Sequence, residues 1–224
     1  MLNTRYSVEH STLILRFPKP RRVLSSAVLG GGLRSCNFVL NHQIPSSLRG
    51  PERQVFRNPS RYLRTVATAL GLKGRGVGLM TAVPMDRLVC VRREARNLWV
   101  EGFITVGTAN AVRAGDPATA DLPVSVGTIN IILVTNVRLT SPAMVEAVQV
   151  VTEAKTATLA EAKVFSKVSG VLATGTGTDA TVILSGHGPR VQYVGTHTRM
   201  GALISRAVVD GVLDGVRPQS PTAK

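Results

Sequence analysis

Short apolar runs recur along most of this chain, and runs of this length bounded by polar residues are typical of β-strands. The predicted strands are residues 12–17, 23–29, 76–83, 88–92, 98–106, 126–134, 181–184 and 191–194. The run VGTINIILV at 126–134 is apolar at nearly every position. Such continuous apolarity predicts a central strand that is buried on both faces.

Three stretches carry the signals of helices. Asn58 and Pro59 form an N-cap and first-turn pair, and apolar residues at helical spacing follow until Gly71. Ser141 and Pro142 form a second such pair before a long helix-forming run at 143–162, whose first half is apolar almost all round. Thr196 is the predicted N-cap of a final helix.

Strands mixed with helices predict a single layered domain of the α/β or α+β class, in which helices cover a mixed sheet. We expect this domain to span residues 1–217. Within it, residues 43–60 combine prolines and arginines with other polar residues and are predicted to form a loop. Residues 218–224 are predicted to be a disordered tail.

Charge is distributed unevenly. Residues 1–100 hold 17 Lys and Arg against 4 Asp and Glu, whereas residues 101–224 hold 10 against 9. A basic half can bind nucleic acid, but few aromatic residues interleave with the arginines and no recognition-helix or zinc-finger pattern accompanies them. We therefore interpret the basic residues as a solvated face and keep a nucleic-acid binder as a minor alternative.

The sequence also bears on the compartment of the protein and on its assembly. No apolar run reaches the roughly 18–20 residues of a membrane helix, and the first residues have no secretory signal pattern. We expect a cytoplasmic protein without a membrane partner, in which Cys36 and Cys90 are reduced thiols. The abundant apolar residues leave room for a homo-oligomer interface.

Five junctions combine glycine with hydroxyl or amide side chains where predicted elements end. They are SSAVLGGG (25–32), VGTANA (106–111), VGTINI (126–131), ATGTGTDA (173–180) and YVGTHTRMG (193–201). The segment TEAKT (152–156) lies on the long predicted helix. Several such junctions are typical of a site built from successive loops. The P-loop, HExxH, CxxC and GxSxG patterns are absent, so we predict no metal site.

In chain order, seven blocks resemble the adenosylcobinamide amidohydrolase family over residues 20–215. They are LSSAVLGGG (24–32), GLMTAV (78–83), TVGTANAVRAG (105–115), GTINIILVTN (127–136), TEAKTATLAE (152–161), ATGTGTDA (173–180) and YVGTHTRMGALISRAV (193–208). The resemblance implies a hydrolase of cobalamin salvage that cleaves adenosylcobinamide into adenosylcobyric acid and 1-amino-2-propanol. The corrinoid is then the substrate and brings its own cobalt, so the resemblance implies no protein cofactor. The alternative is a corrinoid- or nucleotide-binding protein without turnover.

Amide hydrolysis needs a base, a nucleophile or activated water, and donors for the oxyanion. Glu153 lies in an apolar helical stretch and is a candidate buried general base. His197, predicted in the first turn of the final helix, is the other candidate base, because the helix dipole favours its neutral form. Thr176 is a candidate nucleophile, and Asp179 either orients a catalytic group or caps its turn.

Substrate contacts are predicted from small and polar residues of the same loops. A bare glycine backbone can approach a flat macrocycle, and side-chain amides can pair with the corrin's peripheral amides. The predicted substrate-binding residues are Gly30, Gly31, Gly32, Asn110, Asn130, Asn136, Lys155, Thr174 and Thr178. Asn41 and His42 are weaker candidates. We expect these loops to share one site, with Glu153 or His197 as base.

Overall fold

The computed structural model describes residues 2–45, 55–118 and 127–217, which form twelve strands and three α-helices. The strands are β1 (Tyr6–Glu9), β2 (Thr12–Ser25), β3 (Gly32–Gln43), β4 (Gly76–Thr81), β5 (Val89–Ala95), β6 (Leu98–Val106), β7 (Ala111–Val112), β8 (Ile129–Thr135), β9 (Arg138–Leu139), β10 (Gly175–Thr176), β11 (Ala180–Leu184) and β12 (Arg190–Val191). The helices are α1 (Pro59–Ala69), α2 (Ser141–Glu161) and α3 (Arg199–Val216).

Eight strands form one mixed sheet in the order β4-β3-β2-β11-β8-β6-β5, and β1 pairs with the first part of β2. The pairs β3–β4 and β8–β11 are parallel, and the other pairs in this sheet are antiparallel. Two short ribbons, β7–β10 and β9–β12, lie outside it. The predicted mixed sheet covered by helices is confirmed.

The long strand β2 joins the predicted strand 12–17 to the first three residues of the predicted strand 23–29, whereas residues 26–29 lie outside it. Its pairing with β3 shifts register between Arg16 and Arg21, and Pro18 and Pro20 lie in this irregular segment. Proline has no N–H to donate, so it is tolerated in a strand where ladder pairing is interrupted. The prolines therefore mark a bulge in a continuous strand, and not the gap between two strands that the sequence predicts.

The sheet folds over so that its two halves pack face to face. Along β8, Ile131 and Leu133 face α2 and α3, whereas Ile132 and Val134 join a second core that also contains Leu13 and Leu15 of β2. A third, smaller core lies between α1 and the outer face of β3 and β4. This alternation is why β8 is buried on both faces, as its apolar sequence predicts.

The helix ends correct two of the three predicted caps. Asn58 does cap α1, because its side chain accepts a hydrogen bond from Arg61 N. The cap of α2 is Thr140, and not Ser141, since the Thr140 hydroxyl accepts from Ala143 N. The cap of α3 is Thr198, and not Thr196, so His197 precedes the helix and does not lie in its first turn.

Some expectations concern residues outside the described ranges. Part of the predicted loop at 43–60, residues 46–54, and the predicted tail at 218–224 are among them. Cys36 is buried and Cys90 is half-buried, and both are free thiols. Burial raises the pKa of Cys36 to about 12. Within the described part of the chain, no helix is long and apolar enough to cross a membrane.

Candidate active site

Polar side chains gather at the edge of the sheet where the parallel strands β8 and β11 begin. Asp179 directly precedes β11, and its Oδ1 accepts hydrogen bonds from the backbone N–H of Ile129 (3.0 Å) and from the hydroxyl of Thr176. Its Oδ2 accepts from the backbone N–H of Thr176 (3.1 Å) and from the ammonium of Lys155. Four donors thus fix the orientation of one carboxylate.

The Lys155–Asp179 ion pair is largely withdrawn from solvent, with side-chain exposures of 12% and 15%. Lys155 comes from α2, and Gly175 of β10 lies directly against the pair. A Cβ atom at Gly175 would overlap Asp179 Oδ2 and would lie 2.8 Å from Lys155 Nζ. The absence of a side chain at Gly175 therefore lets Lys155 and Asp179 approach each other to hydrogen-bonding distance.

Threonine hydroxyls fix the loop at 173–179 to its surroundings. Thr156 of α2 donates to the carbonyl of Thr174 (3.2 Å), whose hydroxyl accepts from Ala114 N (2.8 Å). The Thr178 hydroxyl donates to the carbonyl of Gly127 (3.1 Å) at the start of β8. The hydroxyls of Thr174 and Thr178 thus bind backbone groups. By contrast, the Thr176 hydroxyl donates to the Asp179 carboxylate.

A buried amide network continues from this edge into the space between the two halves of the sheet. The Asn130 amide donates to Asn41 Oδ1 (2.9 Å) and to the carbonyl of Met80 (2.8 Å). The Asn41 amide donates to the hydroxyl of Thr105 (3.1 Å). The predicted substrate contact Asn130 is thus engaged within the protein. Asn41, a weaker candidate from the sequence, lies at the centre of the network.

Asn110 differs from Asn130 in its pairing. Its Oδ1 atom is buried and has no hydrogen-bond partner among the described residues. A Cβ atom at Gly127 would lie 2.5 Å from this oxygen, so the asparagine packs directly on that glycine. Asn110 therefore brings an unused acceptor to the edge that holds Asp179.

His197 and Asn136 lie at the other edge of the sheet. Asn136 follows the end of β8, seven residues or about 23 Å from Ile129. The Asn136 side chain accepts a hydrogen bond from Trp99 N and donates one to the carbonyl of Asn97. These two bonds hold the turn between β5 and β6 in place. His197 is exposed next to the start of α3. A single site in one chain therefore cannot combine His197 or Asn136 with Asp179.

The segment before His197 is fixed near the beginning of α2. Val194 N donates to Glu146 Oε2 at 2.7 Å. Lys155 lies nine residues further along the same helix, about 14 Å away at 1.5 Å per residue. The expectation that all five loops share one site is wrong for the loop at 193–201.

Glu153 is exposed, and the expectation of its burial is wrong. The buried face of α2 includes Val150, Val151 and Ala154, and Glu153 points outward, where its Oε1 accepts from Gln149 Nε2 (3.0 Å). The apolar residues beside Glu153 in the sequence lie on other faces of α2, which pack against the rest of the protein. Its role as a general base stays a prediction, without the burial on which it depended.

Packing accounts for two of the three loop glycines at 30–32. A Cβ atom at Gly30 would overlap the carbonyl oxygen of Gly76, and one at Gly31 would lie 2.6 Å from the carbonyl oxygen of Ala27. Gly32 has a φ of +84°, which side-chain-bearing residues rarely adopt. Contact of these glycines with a substrate stays a prediction.

His42 lies on the opposite face of β3 from Asn41, toward α1. Its ring nitrogens lie 2.8 Å from the Thr12 hydroxyl and 2.9 Å from the Tyr62 hydroxyl. Burial lowers the pKa of His42 and raises the pKa of Tyr62. Within residues 2–45, 55–118 and 127–217, no three His, Cys, Asp or Glu side chains converge as metal ligands.

The arrangement at the β8–β11 edge supplies groups that amide hydrolysis requires. The Thr176 hydroxyl is hydrogen-bonded to a carboxylate, which can accept its proton. Among the described residues, Lys155 donates to Asp179 alone, so two of its three N–H bonds remain for a substrate oxygen. These groups form the candidate active site: Asp179, Lys155 and Thr176.

Comparison with known proteins gives a consistent result. A profile described as adenosylcobinamide amidohydrolase matches residues 2–224. An uncharacterized protein of Methanocaldococcus jannaschii is 34% identical, over 94% of this chain and 88% of its own. A protein named adenosylcobinamide amidohydrolase, from Methanosarcina mazei, is 29% identical, over 95% of this chain and 97% of its own.

Two proteins of solved structure are less similar to this chain in sequence. A Pyrococcus horikoshii protein is 10% identical with a TM-score of 0.46, covering 96% of this chain and 79% of its own. A β-aminopeptidase of a Burkholderia species is 12% identical with a TM-score of 0.43, covering 96% and 80%. These scores are too low to support a functional argument. Because the family profile spans nearly the whole sequence, the chain belongs to the adenosylcobinamide amidohydrolase family.

Proposed function

We propose that this protein hydrolyses the amide between the corrin propionate arm and aminopropanol in adenosylcobinamide, at Asp179, Lys155 and Thr176. The products are adenosylcobyric acid and 1-amino-2-propanol, which places the reaction in cobalamin salvage. The observation that carries the proposal is the shielded Lys155–Asp179 pair with the Thr176 hydroxyl on the same carboxylate. Membership of a family of amide hydrolases supports the reaction class.

In the proposed reaction, Thr176 Oγ1 attacks the amide carbon and Asp179 takes the hydroxyl proton. The N–H groups of Lys155 stabilise the oxyanion that forms. When the C–N bond breaks, the leaving amine takes the proton from Asp179. Water then hydrolyses the Thr176 ester, releases adenosylcobyric acid and restores the hydroxyl. Cobalt enters and leaves with the substrate. Asn110, Thr174 and Thr178 border these groups and stay our proposed substrate contacts.

Three substitutions test the assignment: Lys155→Met, Asp179→Asn and Thr176→Ala. Each is expected to reduce kcat by about 100-fold or more, because loss of one oxyanion donor or nucleophile has effects of this size. The assay incubates the protein with adenosylcobinamide and follows adenosylcobyric acid by mass spectrometry. Lys167→Met is the matched control, because Lys167 is exposed and is not in the proposed site.

The outcomes of these assays distinguish between explanations of the nucleophile, the site and the activity. Thr176→Ala with wild-type kcat would exclude a threonyl ester and leave direct attack by water. Wild-type rates in all three variants would refute the site, and Glu153→Gln or His197→Ala would then be the next variants to assay. If the wild-type protein binds adenosylcobinamide and returns it intact, the protein is a corrinoid binder without turnover or acts on a different corrinoid.

A further inference from the structure

Three arginines from three strands line one cavity at the edge of the sheet opposite the candidate active site. The cavity has a volume of about 580 Å³, and we call it the arginine pocket: Arg22 of β2, Arg138 of β9 and Arg190 of β12, with Thr140 and Ser141 at the start of α2. Lys155 lies fourteen residues further along α2 than Ser141, or about 21 Å. The two sites are therefore distinct.

Two of the arginines are placed directly beside each other by the backbone. In the parallel ribbon β9–β12, Arg138 and Arg190 are Cα partners in register. Like charges at directly opposed positions of neighbouring strands destabilise the pairing. The ribbon thus places two exposed arginines side by side despite the repulsion between like charges, and an anion bound between them would remove this cost.

The third arginine is held in place by the helix that begins at the pocket. Arg22 Nη2 donates to the hydroxyl of Ser141 at 2.6 Å. Ser185 N donates to the carbonyl of Arg22, which fixes its backbone to the segment after β11. Arg22 therefore reaches the pocket from the main sheet, and its guanidinium has further N–H groups available.

No carboxylate balances this charge within the described parts of the chain. The ion pairs found there involve Arg16, Arg92, Arg93, Lys155 and Arg217, and none involves an arginine of the pocket. The nearby Glu146 accepts a backbone hydrogen bond from Val194. Three positive charges thus share one cavity, and none of them has a counter-ion among the described residues.

We propose that the arginine pocket binds the phosphate groups of a small molecule that carries two or more linked phosphates. Guanidinium groups present paired N–H donors that match phosphate oxygens, and three of them around one cavity suit more than one phosphate. The volume falls in the range of about 300–1,000 Å³ that is typical of small-molecule sites. None of the described residues that line the pocket is aromatic, so they offer no stacking surface of the kind found in single-strand nucleic-acid sites.

Titration calorimetry of the full chain with inorganic pyrophosphate tests the proposal. The double variant Arg138→Gln/Arg190→Gln is expected to bind pyrophosphate at least about tenfold more weakly, because each charge-assisted hydrogen bond contributes this much or more. The matched control is Arg61→Gln/Arg64→Gln on α1, which removes the same charge from a helix that does not line the pocket and should change the affinity less than about twofold.

Melting temperatures give a second readout. Without ligand, the pocket variant should be at least as stable as the wild type, because the repulsion between Arg138 and Arg190 is gone. Pyrophosphate should raise the Tm of the wild type and of the control, but not that of the pocket variant.

Three results would overturn the proposal. One is wild-type protein that does not bind pyrophosphate, and another is an equal loss of affinity in the control, which would indicate net charge alone. The third is a short DNA duplex that displaces pyrophosphate at the same salt concentration, which would indicate a nucleic-acid surface. None of these results affects the proposed amide hydrolysis, which does not use the pocket.

Discussion

At the scale of single residues, Gly175 decides whether the candidate active site can close. A methyl group there would overlap Asp179 Oδ2 and press on Lys155 Nζ. We predict that Gly175→Ala lowers kcat for the proposed reaction about tenfold or more, because small displacements of catalytic groups have effects of this order. The assay is adenosylcobyric acid formation, with urea unfolding of the same variant to measure stability.

Gly177→Ala provides the control for this prediction. Gly177 lies two residues away in the same loop, is exposed, and has no atom of the described residues within 4 Å of the position that a Cβ would occupy. It should keep kcat near the wild-type value. Equal rates in both variants and the wild type would show that the closeness of Gly175 to the ion pair has no part in turnover.

The sequence predicts Asp179, Lys155 and Thr176 as site residues because each is a polar residue in a glycine-rich or largely apolar block. The same pattern predicts a buried Glu153, because apolar neighbours on a helix do not reveal which residue points outward when most positions are apolar. The sequence predicts His197 in the same site because glycine–threonine junctions look alike at both edges of a sheet. The two edges can be told apart only when it is known which end of β8 each junction lies beside in the folded sheet.

At the scale of secondary-structure elements, the start of α3 offers a test of the corrected cap. Thr198 Oγ1 accepts from Gly201 N (3.0 Å) and donates to the carbonyl of Gly195 (2.8 Å). We predict that Thr198→Ala lowers the free energy of unfolding by about 1 kcal/mol, because loss of an N-cap costs this much. Thr196→Ala should leave it nearly unchanged. Urea denaturation measures both, and the reverse order would restore Thr196 as the cap.

The sequence could not choose between these two threonines, because both are good cap residues two positions apart. The deciding factor is backbone conformation: Thr198 is extended, with φ −86° and ψ 155°, and helical geometry begins after it. By contrast, the predicted limits of β6, Leu98–Val106, are those observed, because a mostly apolar run lies between Asn97 and Gly107. Local pattern predicts an element well where nothing competes with it.

At the scale of the whole molecule, the feature that sequence could not show is the folding of the sheet onto itself. Asn41 and Asn130 are 89 positions apart, and β2 and β11 lie between their strands in the sheet order. Their hydrogen bond exists because β2 and β3 bend across β6 and β8. Neither hydrophobic period nor turn chemistry records such a contact, since both describe neighbours along the chain.

The buried amide network should therefore contribute to the stability of the whole fold. We predict that Asn130→Ala lowers the free energy of unfolding by about 2–4 kcal/mol, because it leaves Asn41 Oδ1 and the Met80 carbonyl buried without their donor. The exposed Asn97→Ala should cost less than about 0.5 kcal/mol. Since Asn41 and Asn130 share a bond, Asn41→Ala/Asn130→Ala should cost less than the sum of the single variants by about 0.5 kcal/mol or more. Additive losses in urea denaturation would mean that the two halves of the sheet are not coupled through this contact, and that apolar packing between Ile132, Val134 and the residues of β2 alone holds them together.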